Sequence, residues 1–90
     1  MIIVAGRIYV RPESRLEFLE RSAAAMRQAR QTRGCLDFVV AADPLEADRI
    51  NVFEAWSDRD TLEGFRESGP DDEMSSLIVR AEVAEHLVET

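Results

Sequence analysis

The chain has no lysine. All eleven of its basic residues are arginine, set against eighteen acidic ones, for a formal net charge of −7. Phosphate backbones are bound by clustered cations, so this balance excludes a nucleic-acid partner. The uniform choice of arginine is taken as a base-composition bias of the source genome. Cysteine is almost absent as well. Cys35 stands alone, which rules out an intramolecular disulfide and fits a reducing compartment. Long apolar runs are missing: a membrane helix needs roughly 20 consecutive apolar residues, and no stretch approaches that. The start, Met1 to Arg7, lacks the basic and apolar regions of an export signal and reads as a first strand, so a cytoplasmic protein is expected. Metal-ligand spacings, a Gly-rich phosphate loop and a Ser-His-Asp set are all absent, so no metal and no cofactor are expected.

Ninety residues are enough for one domain spanning 1–90. A chain of this size buries only about 60–65% of the surface that its unfolded form exposes, which favours a stabilising partner surface. The most informative stretch is Ile50-Asn51-Val52-Phe53-Glu54-Ala55-Trp56-Ser57-Asp58-Arg59-Asp60-Thr61-Leu62. It reads as a strand that ends on the only tryptophan and turns directly into a capped helix. Ser57 is the expected cap, with Asp60 three residues later approximating a capping box.

The remaining elements follow from periodicity. Residues 2–10 are nearly all apolar and rich in β-branched side chains, which predicts a strand buried on much of both faces. Gly6 within it marks a bulge or a close backbone approach. Pro12 and Glu13 open a helix. Leu16, Leu19, Ala23 and Met26 keep helical spacing, and Phe18, Ser22 and Ala25 widen the stripe. Gly34 stops it. Cys35–Ala42 and Arg49–Trp56 are strands joined by the turn Asp43–Asp48. Leu62 and Phe65 give the second helix its buried side, Ser68-Gly69-Pro70 ends it, and Asp71–Ser76 forms a further short helical turn. The last strand covers Leu77–Val88, with Val79, Ala81, Val83 and Leu87 on one face. The order β-α-β-β-α-β predicts an α+β ferredoxin-like fold: a four-stranded antiparallel sheet with helices on one face and the first strand between the third and fourth. The helix-free face carries apolar residues that one such chain cannot cover, so a homodimer through the sheet face is expected.

With these elements in order, the chain resembles the antibiotic-biosynthesis monooxygenase family of small dimeric α+β-barrel proteins. The marks are Ile3-Val4-Ala5-Gly6-Arg7-Ile8-Tyr9-Val10 with Arg11-Pro12-Glu13, then Gly34-Cys35-Leu36, then Phe53-Glu54-Ala55-Trp56 before a capped helix containing Leu62. The resemblance implies a cofactor-independent monooxygenase that oxidises a quinol or polycyclic aromatic phenol with dioxygen. In such chemistry a deprotonated, electron-rich substrate itself passes an electron to dioxygen, and the protein supplies an apolar pocket, a hydrogen bond and water exclusion. The alternative is a non-catalytic dimer of the same fold that binds a small molecule or a protein partner. Haem degradation is disfavoured. Haem-degrading relatives use a histidine on or after the second helix and an Asn in the first strand, whereas Phe65 to Leu77 holds no His and Gly6 stands at the Asn position. Many relatives also carry a His where Phe65 stands, so a base from the second helix is missing.

The candidate residues each have a bland reading beside the functional one. Trp56 is a pocket wall whose indole N–H can donate to a substrate oxygen, or a core aromatic sealing the sheet–helix junction. Asn51 is the polar candidate for holding that oxygen, yet it is five residues from Trp56, and an odd separation puts the two on opposite faces of a regular strand. Glu54 shares Trp56's face. If the first and third strands are neighbours, Arg7 lies across from it, as a register-fixing pair or as the tuner of a carboxylate base. Tyr9 and Phe65 are substrate-binding candidates or core. His86, the only histidine, reads as a solvent or dimer-edge residue. Cys35 reads as a buried structural thiol.

Overall fold

The computed structural model describes residues 1–68 and 72–89. Strand β1 (Ile2–Val10) leads through a 3-10 turn at Pro12–Ser14 into helix α1 (Arg15–Gln31). Strands β2 (Cys35–Ala42) and β3 (Arg49–Trp56) form a hairpin, followed by α2 (Arg59–Glu67), the short α3 (Asp72–Ser76) and β4 (Ile78–Leu87). The sheet is antiparallel in the order β2-β3-β1-β4. This is the ferredoxin-like α+β arrangement that the order of elements predicts. No helix among the described residues is long and apolar enough to cross a membrane.

Register assigns every side chain to a face. Ile2, Val4, Gly6 and Ile8 of β1 pair with Trp56, Glu54, Val52 and Ile50 of β3, and this row faces the helices. The next residues along, Ile3, Ala5, Arg7 and Tyr9, pair with Ala55, Phe53, Asn51 and Arg49 on the helix-free face. Two local features mark the pairings on either side. At Gly6 (φ +154°), a Cβ would collide with the Glu82 carbonyl oxygen and come within 2.8 Å of Val83 Cα, so only glycine lets β1 and β4 approach this closely. At the other end, the β2–β3 pairing shifts between Cys35 and Asp37, which bulges Leu36 out to 58% exposure.

The apolar interior forms two clusters. Ile2, Val4, Ala29, Phe38, Trp56 and Leu62 make one, and Val10, Phe18 and Ile50 the other. The first helix turns inward most of the stripe that its spacing predicts, with Leu19 and Met26 packed against the core, and only Leu16 departs from it. Leu16 is 68% exposed, whereas Phe18, Ser22 and Ala29 are buried. Ser22 can be buried because its hydroxyl donates to the Phe18 carbonyl at 2.8 Å, a bond within the helix that removes the desolvation cost. The cap of α2 also differs by one residue. Asp58, in extended conformation, accepts from Thr61 N–H at 2.8 Å and from its hydroxyl at 2.9 Å. The Ser57 hydroxyl donates to the Asp58 carboxylate instead of capping the helix. Gly69, Pro70 and Asp71, expected in the helix end and the following turn, lie outside the described residues.

Candidate functional site

Between the sheet and the helices lies a cavity of about 570 Å³, within the range of small-molecule sites. It separates the two apolar clusters: Phe38 and Phe65 belong to one end, Phe18, Ile8, Met74 and Ile78 to the other. Its walls follow from periodicity. Strand alternation turns Phe38 and Val40 of β2 and Val52 and Glu54 of β3 inward. On α1, Arg21, Ser22, Ala25 and Gln28 line it at helical spacing. On α2, Leu62 is buried against the sheet, so Phe65 and Arg66, three and four residues later, fall on the cavity side. Contacts cross from α1 to the opposite wall: Arg21 to Glu73 at 2.7 Å, the Ser22 hydroxyl to Met74 Sδ at 3.7 Å and Gln28 to Ser68 at 3.4 Å.

Glu54 is the titratable group set deepest in this apolar lining. Burial raises its pKa above the ordinary carboxylate value, a hydrogen bond from Trp56 and the charge of Arg66 pull it back, and Glu85 pushes it up again. Trp56 Nε1–H donates to Glu54 Oε1 at 2.9 Å. The indole is itself fully buried and stacks behind the lining, with ring centroids 5.2 Å from Phe65 and 6.3 Å from Phe38. Trp56 therefore backs the wall, and its N–H is spent on a carboxylate instead of being offered to a bound molecule. A half-buried carboxylate with a raised pKa, facing an apolar void, is equipped to accept a proton.

The other expected site residues lie elsewhere. Arg7 pairs with Asn51 across the sheet, not with Glu54, because β1 places Val4 opposite Glu54. Arg7 instead bonds Glu82 of β4 at 3.0 Å. Asn51 is on the helix-free face, as parity requires, donating to Asp43 at 2.9 Å and accepting from Arg49 at 2.7 Å. Tyr9 is on that face too, with the Arg80 guanidinium 4.1 Å from its ring centroid. His86 pairs with Ile3 there and is exposed. Cys35 is partly buried, and burial followed by the charges of Glu54 and Asp37 raises its thiol pKa, which disfavours the reactive thiolate. Of the expected residues, the fold brings together Glu54, Trp56 and Phe65. Sequence reading missed Arg66 and Phe38; the signals were Arg66's one-turn offset from Leu62 and Phe38's alternation parity.

The sequence profile of the antibiotic biosynthesis monooxygenase family matches residues 1–74. The chain belongs to that family. Structures bearing the family's name superpose closely. The Nitrosomonas europaea protein does so with a TM-score of 0.88 at 14% identity, over 98% of each chain. For the Deinococcus radiodurans protein the values are 0.87 and 16%, over 100% of this chain and 94% of that one. At such identities the likeness establishes the fold alone. An uncharacterised protein of Synechocystis is 32% identical over 62 residues, 69% of this chain, and the chain spans only 42% of that relative's length.

Some members of the antibiotic biosynthesis monooxygenase family degrade haem, and the lining can be tested for that group. Haem iron takes a His, Cys thiolate or Tyr as its principal ligand. Among the described residues none lines the cavity, and His86 and Tyr9 sit on the far side of the sheet. The residues present do not fit haem.

Proposed function

We propose that the protein is a cofactor-independent monooxygenase that oxidises a quinol or polycyclic phenol with dioxygen, working in the cytoplasm as a homodimer joined through the helix-free sheet face. The observation that carries this reading is the cavity of about 570 Å³ with Glu54 half-buried in it. A flat aromatic substrate would lie against Phe65 and Phe38 and present its hydroxyl to Glu54, with Trp56 orienting the carboxylate from behind. Glu54 takes the phenolic proton. The phenolate then gives one electron to dioxygen; superoxide and substrate radical combine into a carbon–oxygen bond, and the hydroperoxide breaks its O–O bond. One oxygen atom stays on the ring as a carbonyl. The other leaves as water with the phenolic hydrogen and the hydrogen of the attacked carbon, so dioxygen's four electrons are all drawn from the substrate.

Support for the dimer comes from the helix-free face, where Phe53 is 39% exposed beside Ile3, Ala5, Val39 and Ala84. Helices cover only the other face, and such a surface favours a partner.

The test is oxygen uptake with a panel of hydroquinones and hydroxyarenes in metal-free buffer. Uptake is expected in the wild type and at least about 10²-fold slower in Glu54→Gln, the usual scale for removing a general base. No wild-type uptake across the panel would sink the enzymatic reading. Binding of those compounds without uptake would favour the second reading, a binding dimer, for which the bond from Trp56 to Glu54 is structural alone.

A further inference from the structure

The proton transfer assigned to Glu54 is uphill. A phenol such as tyrosine's titrates near 10 and a free glutamate near 4.3, and burial raises Glu54 from the lower of these. An anion left on the substrate inside an apolar cavity needs a cation close by. The cavity has one held ready. Val4 on β1 pairs with Glu54 of β3 on one side and with Glu85 of β4 on the other. The two acids therefore point to the same face, two strand spacings apart, roughly 9–10 Å. Arg66 of α2 lines the cavity and places Nη1 on Glu85 Oε1 at 2.7 Å, with its side chain 47% exposed. Arg59, one helix span earlier, anchors the other Glu85 oxygen at 3.2 Å. A guanidinium carries five N–H donors in a rigid fork, so one carboxylate contact leaves donors to spare. Among the described residues, the charged groups facing Arg66 are Glu54 on β3, Glu85 on β4, Arg59 on its own helix and, across the cavity, Arg21 on α1.

We infer that Arg66 receives the phenolate oxygen of the substrate, and that Glu85, braced by Arg59, is the positioning residue that aims it. This rests on the reading of the cavity as a phenol-oxidising site. It narrows the substrate to aromatics whose acidic hydroxyl reaches the rim between Glu54 and Arg66, with the apolar rings inside. Glu85 is held as a carboxylate by the same two arginines, which lower its pKa, so it stays charged while Glu54 cycles.

The probe is 2-hydroxyanthraquinone, whose phenol and phenolate absorb at different visible wavelengths. Its apparent pKa is read when bound to the wild type and to folded variants, with oxygen uptake measured in parallel. The bound probe is expected to titrate below the free probe in the wild type. Arg66→Gln should raise the bound value by about one unit or more, the usual effect of removing an adjacent opposite charge, and Arg66→Lys should recover part of it. Glu85→Gln separates positioning from bulk charge. Removing a negative charge alone lowers the pKa, whereas losing Arg66's aim raises it. A rise is expected, with no further rise in the Arg66→Gln/Glu85→Gln double variant. The inference is overturned by a wild type that does not bind the probe, by an unchanged value in Arg66→Gln, or by a fall in Glu85→Gln. Oxygen uptake alongside an Arg66-independent pKa would remove this inference alone. An Arg66-dependent pKa without wild-type oxygen uptake would remove the monooxygenase reading alone.

Discussion

Trp56 and Glu54 are two residues apart on β3, and the indole N–H of the first donates to the carboxylate of the second at 2.9 Å. The bond turns the chain's only tryptophan from a substrate-facing group into the support of a carboxylate. It also offsets part of the burial that raises Glu54's pKa.

Trp56→Phe keeps the aromatic bulk and deletes the donor. Glu54's pKa should rise further, since the bond favours the charged form. Stability should fall by about 1–3 kcal/mol, the cost of leaving a buried acceptor without its partner. Carboxyl-carbon NMR titration and urea denaturation measure the two effects. A Glu54 pKa that stays put or falls would show that the bond has no hold on the carboxylate.

Glu54 also sets a pH dependence. Its folded-state pKa lies above the unfolded value, near 4.3 for a free glutamate. The stability it contributes is complete below the unfolded pKa and is lost as pH rises through the folded one. Glu54→Gln, uncharged throughout, should therefore melt higher than the wild type at pH 7, with the gap closing toward pH 4. Asp43, Asp58, Glu82 and Glu85, whose pKa values are lowered, act in the opposite sense and remain in both proteins. Thermal melts across that pH range decide it, and a lower melting point for the variant at pH 7 would contradict the burial argument.

Gly6→Ala should be costly. The new methyl group meets the Glu82 carbonyl and Val83 Cα on the neighbouring strand, and backbone cannot swing aside as a flexible side chain can. A loss of about 2 kcal/mol or more is expected, near the upper part of the usual single-substitution range. A denaturation midpoint within error of the wild type would mean that β1 and β4 are not so close.

The cap of α2 separates two adjacent residues. Asp58→Ala should lose about 1 kcal/mol, the typical value of an N-cap, whereas Ser57→Ala should change stability by less than about 0.5 kcal/mol, as surface substitutions usually do. Equal losses would return the cap to Ser57.

Much of this arrangement is legible in the sequence. The bounds of β2 and β3 and the opposite facing of Asn51 and Trp56 follow from alternation, and they hold in the structure. The bulged Leu36 and the exposed Leu16 do not follow from it. Ser22 falls inward by its spacing, and its bond to Phe18 supplies the partner that its burial needs, whereas Leu16 looks like core until the packing of α1 leaves it outside. Arg7 was similarly opaque: its partner, Glu82, lies 75 residues away on a strand whose register no local pattern records.

By itself the sequence determined the elements, their order and the alternation of faces along β3, because Cβ alternation and helical period are properties of a few consecutive residues. That is enough to put Glu54 beside Trp56 and to take Asn51 away from it. Only the tertiary structure decided that Trp56's N–H is occupied, that the core divides around a cavity, and that Arg66 meets Glu85 beside it. Those relations depend on strand register and on the distance between helix and sheet, which are settled by packing across the whole sheet and not by any neighbourhood along the chain.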